Sequence, residues 1–375
     1  MFDERTLLER SRHLQTLAAS AGSRLLFALK SLAFSRVLET IRPHVDGYAC
    51  SSLFEARLAR DIGNSERSVH FTSPGLRPDE IGQLASTCDY LSFNSLTQWE
   101  RHRFVATRWA SCGLRVNPQL AFVKDDRYNP CRMASKLGVP LSALADAWRT
   151  TPDAFRGIRG LHVHNNCDAN DLAALWETIQ QLDRALPGLL DRADWVNLGG
   201  GYLYPPAADL DPFHRTVELL RTKYGVTVFM EPGSAIARAS GQLIASVVDV
   251  FESDGKRVAV LDTTVNHMPE LFEYQCAPEV VGTRDDGRFP HLLVGGTCLA
   301  GDLFGEFTFD EPLEVGSRVV FANAGAYTLV KAHMFNGINL PTIYTRRPTG
   351  ELALHTQFTY EDFARRNGVE SHAFV

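Results

Sequence analysis

Residues 25–30 read Leu-Leu-Phe-Ala-Leu-Lys, an apolar run of strand length that ends in a lysine. Such a run suits a strand buried on both faces, as in a parallel sheet. If the strand belongs to a barrel, Lys30 places its amine at the mouth, where an amine can do Schiff-base chemistry. A solvated lysine that merely ends a strand is the plain alternative. The rest of the chain weighs on that choice, because seven similar runs follow, at 44–50, 68–74, 90–95, 112–117, 158–166, 195–201 and 227–233. Helical patterns fill the intervals, at 32–42, 52–62, 78–86, 96–109, 132–150, 168–186 and 211–224, and one more helix at 4–20 precedes the first strand. This alternation predicts an α/β fold, a (β/α)8 TIM-type barrel. A doubly wound open sheet is the competing arrangement, and the number of strands favours the barrel.

The pattern changes after Gly233. Strand-like runs at 242–251, 256–262, 291–295, 317–321 and 341–346 follow with few helices between them, and Asp254-Gly255 is a hairpin signal. The expected division is therefore a barrel over 1–235 and a mainly antiparallel β-domain over 236–375.

Composition bounds the function. The net charge of −6 gives no electrostatic footprint for nucleic acid or an anionic membrane. Seven cysteines without a CxxC pair suggest reduced thiols and a cytoplasmic protein. There is no signal-peptide pattern and no apolar run of about 18 residues.

The carboxyl ends of the predicted strands carry Lys30, Cys50-Ser51-Ser52, Asn94, Arg115, His164-Asn165-Asn166, Gly199-Gly200-Gly201 and Glu231-Pro232-Gly233. An amine, an aromatic base, a glycine cradle and a carboxylate together suit an anionic, aromatic, aldehyde-bearing cofactor. Three glycines let backbone amides approach a phosphate, although a tight turn needs glycine too. A carboxylate such as Glu231 beside a pyridine nitrogen would keep it protonated; a salt-bridged or capping glutamate is the alternative. His162 and His164 alternate along one strand and share a face. They could be core histidines, a ring stacked on a planar cofactor, or a metal pair, and the lack of further histidines at strand ends ranks metal last. In the second domain, Cys298 and Asp302 lie four apart in a Gly-rich loop, as an acid and an amine-binding carboxylate would. Taken alone, the pair reads more readily as a buried free cysteine beside a turn aspartate, and Tyr327 could be a phosphate donor or a core residue.

Together the motifs resemble the fold-type III pyridoxal-phosphate decarboxylases, the ornithine and diaminopimelate decarboxylase group, and within it the carboxynorspermidine (carboxyspermidine) decarboxylases. The segments that carry this are ALKSLAF (28–34), SSLFEARLAR (51–60), HNNCDAN (164–170), WVNLGGGY (195–202), EPG (231–233), HMPE (267–270), CLAGDLFGEF (298–307), AYTLVKAHMFNG (326–337) and QFTYEDF (357–363). The resemblance implies an alanine racemase-like barrel with a β-domain, and pyridoxal 5'-phosphate as cofactor. It implies that Lys30 carries the cofactor as a Schiff base, that His164 stacks on its ring and that Glu231 pairs with its nitrogen. Gly199, Gly200, Gly201, Gly233 and Tyr327 would surround the phosphate, and Arg115 would approach the ring hydroxyl. In a homodimer with shared sites, Cys298 would protonate the substrate carbon after CO2 leaves. Asp302, with Glu270 and Glu273, would receive a cationic amine. The expected activity is removal of the α-carboxylate of carboxynorspermidine or carboxyspermidine in polyamine biosynthesis. The same chemistry on a diaminopimelate- or ornithine-like amino acid, a non-catalytic regulatory paralogue and a metal-dependent hydrolase are the competing readings. The family has a strand before its first barrel helix, whereas this chain opens with Met1-Phe2-Asp3-Glu4; an unpaired edge in the β-domain and a misassigned start site are the two readings of that difference. Ser234 and Gly296 also depart from the family pattern and leave the exact substrate open.

Overall fold

The computed structural model describes residues 1–369. These group into two compact units, Leu8–Ile236, and Met1–Leu7 together with the chain from Ala237 onward.

In the first unit the eight expected strands are all present: β2 (Arg24–Ala28), β3 (Gly47–Cys50), β4 (Ser68–Ser73), β5 (Tyr90–Phe93), β6 (Ser111–Asn117), β8 (Ile158–Val163), β9 (Trp195–Asn197) and β10 (Thr227–Met230). A two-residue strand, β7 (Val139–Pro140), lies at the edge of β6. The barrel strands pair in parallel, β10 returns to β2, and the β5–β6 and β6–β8 pairings complete the ring. The barrel is therefore closed. Closure removes the exposed edges that an open sheet would leave. Inside it, Tyr90 stacks on His70 at 4.2 Å and meets Phe229 and Trp195 edge-on. Gly160 makes room for this plug, since a Cβ there would stand 2.1 Å from the Trp195 ring.

The helices around the barrel follow the sequence pattern. They are α1 (Glu4–Ala21), α2 (Ser35–Ile41), α3 (Leu53–Gly63), α4 (Ile81–Thr87), α5 (Leu96–Ala106), α6 (Leu141–Thr150), α7 (Ala173–Ala185), a short α8 (Pro187–Leu190) and α9 (Asp211–Tyr224), with α10 (Ser234–Ala237) following β10. In α9, Phe213, Thr216, Val217 and Leu220 bury one face at helical spacing, and Gly225 in the left-handed region closes its last turn. The helix expected over 132–150 is shorter. Residues 118–138 are irregular, and helix begins only at Leu141. Ala134 and Gly138 have positive φ, and Pro140 lacks an amide donor, so the helix cannot extend backwards.

In the second unit, β11 (Leu243–Ser253), β12 (Lys256–Leu261), β13 (Phe289–Val294), β14 (Leu303–Phe309) and β15 (Arg318–Phe321) form one sheet, with α11 (Pro269–Tyr274) after β12. The strands are antiparallel except for the β12–β13 pair. The hairpin at Asp254-Gly255 is as expected, with both residues at positive φ and Ser253 opposite Lys256. Two strands, β14 and β17 (Leu352–Thr356), were not expected from the sequence. Helix α12 (Tyr360–Arg366) follows them.

The expected open edge is closed. Strand β1 (Phe2–Asp3) pairs in parallel with β16 (Ile343–Arg346), which pairs with β17. Met1 exchanges hydrogen bonds with Gln242, and Asp3 forms an ion pair with Arg346 at 2.7 Å. Two residues of strand suffice, so the first seven residues group with this unit and not with the barrel. No helix among the described residues is long and apolar enough to cross a membrane.

Candidate active site

Lys30 follows β2 in a single 3-10 turn, Leu29–Ser31. Ser31 Oγ donates to the Ala28 carbonyl at 2.8 Å, and Ala28 N–H donates to the Pro232 carbonyl at 3.3 Å, which ties the turn to the end of β10. Lys30 has exposed surface yet is walled in by protein, as befits an amine at the foot of an open barrel mouth. Crowding by protein lowers its pKa, and Arg115 acts in the same direction against the pull of Glu231. Its Nζ makes no hydrogen bond or ion pair among the described residues.

Gly233 packs against this turn. A Cβ there would lie 2.6 Å from Ser31 Oγ and 2.7 Å from Ser31 Cβ. The structure thus places Gly233 as the residue that lets the Lys30 turn dock. Gly233→Ala is expected to destabilise the protein by about 1–3 kcal/mol through overpacking. Cofactor affinity should fall with it, because the turn that moves is the one bearing the amine. Thermal denaturation and a cofactor titration check this; an unshifted affinity would show that the turn does not depend on the contact.

Glu231 is buried at the end of β10. Its Oε1 lies 3.0 Å from His162 Nε2, and its Oε2 accepts from Asn197 Nδ2 at 3.2 Å. Burial pushes the carboxyl up, but His162 and then Lys30 more than offset it and hold the group well below the usual carboxylate range. His162 is itself buried and its pKa is lowered by that burial, so its role is that of a neutral donor through Nε2–H. The unpartnered, buried Nδ1 of His162 agrees, because a lone pair is cheaper to leave there than an N–H of an imidazolium. No lysine or arginine forms an ion pair with this carboxylate among the described residues.

His164, just beyond β8, is half-buried, and burial followed by the charge of Lys30 lowers its pKa to about 3. Its Nδ1 accepts from Gly200 N–H at 3.1 Å, which fixes the Nε2–H tautomer of a neutral ring. Arg115, buried on β6, donates to the His164 carbonyl at 3.4 Å; burial lowers its pKa to about 10, so it stays charged.

The triple glycine has a second purpose. Gly199 and Gly201 have φ of 68° and 93°, and Cβ atoms at 200 and 201 would strike the Glu231 and Asn166 carbonyls. Only glycines let this loop lie between the ends of β8 and β10. Gly199 N–H already donates to Asn197 Oδ1 and Gly200 N–H to His164, which leaves Gly201 as the loop's remaining amide donor. Asn197 thereby links the glycine loop to Glu231. His162, His164 and Glu231 offer atoms within 4.8 Å of one another, a spacing that could hold a metal. The lone pair of His164 Nδ1 is taken by the Gly200 amide, which argues against that use.

His162 and Asn197 were not among the expected site residues. The His-x-His alternation was the available signal for the first. Asn94, at the end of β5, holds the irregular segment by bonds to Lys136 and Gly138. Ser52 caps α3, and Cys50 is buried.

The β-unit carries the second group. Cys298 is exposed in the loop between β13 and β14. Asp302 is buried in the same loop and bonded to Thr297 within it and to Val265 after β12. Tyr327 is held at φ 59°, in the left-handed region that side chains rarely adopt, and Lys331 lies 5.5 Å from its ring centroid. Glu273 pairs with Lys331 at 2.5 Å, so its charge is already matched. Glu270 is half-buried in the first turn of α11.

A closed barrel whose mouth gathers a free amine, an ionised carboxylate and a neutral imidazole, in a chain that also carries a β-sheet unit, defines a class of enzyme that works through a carbonyl cofactor. The chain belongs to the pyridoxal-dependent decarboxylases: the family model described as pyridoxal-dependent decarboxylase, C-terminal sheet domain, matches residues 48–325. It is 33% identical to a carboxynorspermidine/carboxyspermidine decarboxylase of Campylobacter jejuni, over 98% of this chain and 97% of that protein. It is 37% identical to a carboxyaminopropylagmatine decarboxylase of a Synechocystis species, over 98% and 94%. Among solved structures, carboxynorspermidine decarboxylase from Campylobacter jejuni complexed with norspermidine matches with a TM-score of 0.88 at 31% identity, covering 98% of both chains.

The residues present fit pyridoxal phosphate. A buried carboxylate held ionised without a cationic side chain bonded to it can receive a protonated ring nitrogen, and the lowered amine of Lys30 can receive an aldehyde.

Proposed function

We propose that this enzyme removes the α-carboxylate of a carboxylated polyamine, with carboxynorspermidine and carboxyspermidine as the first candidates. The observation that carries the reading is the near-complete structural match to a decarboxylase complexed with norspermidine, at 31% identity. Bound pyridoxal phosphate supplies an electron sink for the carbon that loses CO2. Lys30 would hold the cofactor through its amine. Glu231, kept ionised by His162 and Asn197, would pair with the ring nitrogen. His164 offers its neutral ring as a stacking surface, and Arg115 supplies positive charge beside it. Gly201 would hold the phosphate through its amide, with Gly199 and Gly200 shaping the loop.

Cys298 supplies the proton that replaces the departed carboxylate. We assign it to the site of a second copy of the chain, in a homodimer. Exposed Phe272, Leu303 and Phe335 flank the Cys298 loop and support that reading, because such apolar surface favours cover by protein. Glu270 is the carboxylate we assign to a distal cationic amine. The seven free cysteines support a reducing, cytoplasmic setting.

A second substrate is favoured by the 37% identity to the carboxyaminopropylagmatine enzyme: a carboxylated amine that ends in a guanidinium. CO2 release measured on carboxynorspermidine, carboxyspermidine, carboxyaminopropylagmatine, diaminopimelate and ornithine decides the matter. One of the first three should show the highest kcat/KM, by about tenfold or more over the last two. A preference for diaminopimelate or ornithine would overturn the polyamine reading.

A further inference from the structure

Asp302 looks from the sequence like an acceptor for a substrate amine, but its carboxylate ties its own loop to the turn that follows β12. Oδ1 accepts from Val265 N–H at 2.7 Å, and Oδ2 accepts from the Thr297 amide at 3.1 Å and the Thr297 hydroxyl at 2.5 Å. The backbone closes the same loop, with Gly295 N–H donating to the Asp302 carbonyl at 2.8 Å and Asp302 N–H to the Leu299 carbonyl at 2.9 Å. A Cβ on Gly295 would stand 2.2 Å from Oδ1, so the loop is built around the carboxylate. Cys298 sits inside this clamp. Its own amide donates to Asn336 Oδ1 at 3.0 Å, and Asn336 holds a left-handed conformation with φ 54°. The residues before and after Cys298 are tied as well, since Leu299 N–H donates to Thr297 Oγ1 at 3.3 Å.

We infer that Asp302 and Asn336 are positioning residues, which fix the backbone on both sides of Cys298 and so set where its thiol stands. Their catalytic effect rests on the reading of Cys298 as proton donor; their effect on the thiol does not. An aspartate with three donors converging on it, buried beneath an exposed cysteine, shapes the loop and is not the group that receives a distal amine.

Two variants test this. Asp302→Asn keeps the size but turns an amide N–H toward other donors. Asn336→Gly keeps the left-handed backbone accessible and removes only the acceptor for the Cys298 amide. The measurements are kcat and KM of the holoenzyme, and the rate of iodoacetamide labelling at Cys298, followed by peptide mass so that Cys276 and Cys167 do not confuse it. Both variants should lower kcat by about tenfold or more and leave KM within about threefold. Labelling at Cys298 should change by about threefold or more. Adding Asp302→Asn to Cys298→Ala should cost nothing further in kcat, because the two act through one group. A KM raised about tenfold at unchanged kcat and unchanged labelling would overturn the inference and make Asp302 an amine-binding residue. If Cys298→Ala turned over like the wild type, the proton-donor reading would fall, while the labelling rates would still decide whether the clamp positions the thiol.

Discussion

Lys30→Ala is expected to give a colourless protein with kcat reduced by about 10³-fold or more, the scale of a lost covalent or proton-transfer contribution. The visible band of lysine-bound pyridoxal phosphate should vanish with it. The argument is geometric. Among the described residues Lys30 Nζ has no hydrogen-bond or ion-pair partner, and its pKa is lowered by burial, so a larger fraction is the neutral nucleophile near pH 7 than for a lysine in water. The sign for pH follows: capture of the cofactor by the wild type should quicken as pH rises through the amine's pKa, and slow as pH falls. Arginine or glutamine would fill the space but supply no amine. Mixing Lys30→Ala with Cys298→Ala protein, each with only residual turnover alone, should restore about a quarter of wild-type activity if subunits reassort at random and each site needs both chains. No recovery on mixing, with each variant folded, would place the whole site in one chain. A coloured Lys30→Ala protein would refute the assignment of the amine.

Much of this was legible because barrel strands are buried on both faces and read as short apolar runs with a polar residue at the carboxyl end. All eight were visible that way, and so were Lys30, His164 and Glu231 as strand ends. The β-domain was harder. Strand β14 contains Gly305 at φ 128° and Glu306, which interrupt a strand pattern, and β17 exposes both Leu352 and Leu354, so its two faces lack contrast. The irregular segment at 118–138 was hidden because its end resembles the helix that follows. Within the site, sequence shows which residue types stand at the strand ends but not which donors they meet. His162 and Asn197 lie one layer deeper than the mouth, on strands that look like plain core. The partners of Asp302 are mostly backbone amides, which every residue carries; spacing alone makes that carboxylate look available to substrate. The same holds for Glu273, whose partner Lys331 is 58 residues away. In both cases a carboxylate that looks open to ligand in sequence already has partners in the fold, hydrogen-bond donors for Asp302 and an ion pair for Glu273.

Glu231→Gln is the second change with a large expected effect, a drop in kcat of about 10²–10³-fold, comparable to removing a preorganised electrostatic partner in a water-poor site. Glutamine keeps the shape and its one oxygen can still accept from His162, but its NH2 then faces the Asn197 donor, a mismatch of about 1–3 kcal/mol that a thermal denaturation of the variant measures beside its kcat. It loses the charge that favours a protonated ring nitrogen, and with it the pull on electrons from the carbon that loses CO2. The pH dependence separates charge from packing. In the wild type the carboxyl is held well below its ordinary range, so it contributes above the unfolded-state pKa, and the contribution is lost only as pH falls through the much lower folded value. His162→Phe removes a donor to Oε1 and should raise that folded value, moving the acid limb of the kcat profile to higher pH. Glu231→Gln should abolish that part of the limb, because nothing there is left to titrate. Cofactor absorbance followed against pH gives a reading independent of turnover. If Glu231→Gln kept both wild-type kcat and the wild-type absorbance titration, the carboxylate would be no more than a brace between His162 and Asn197, and ring protonation would have to come from elsewhere.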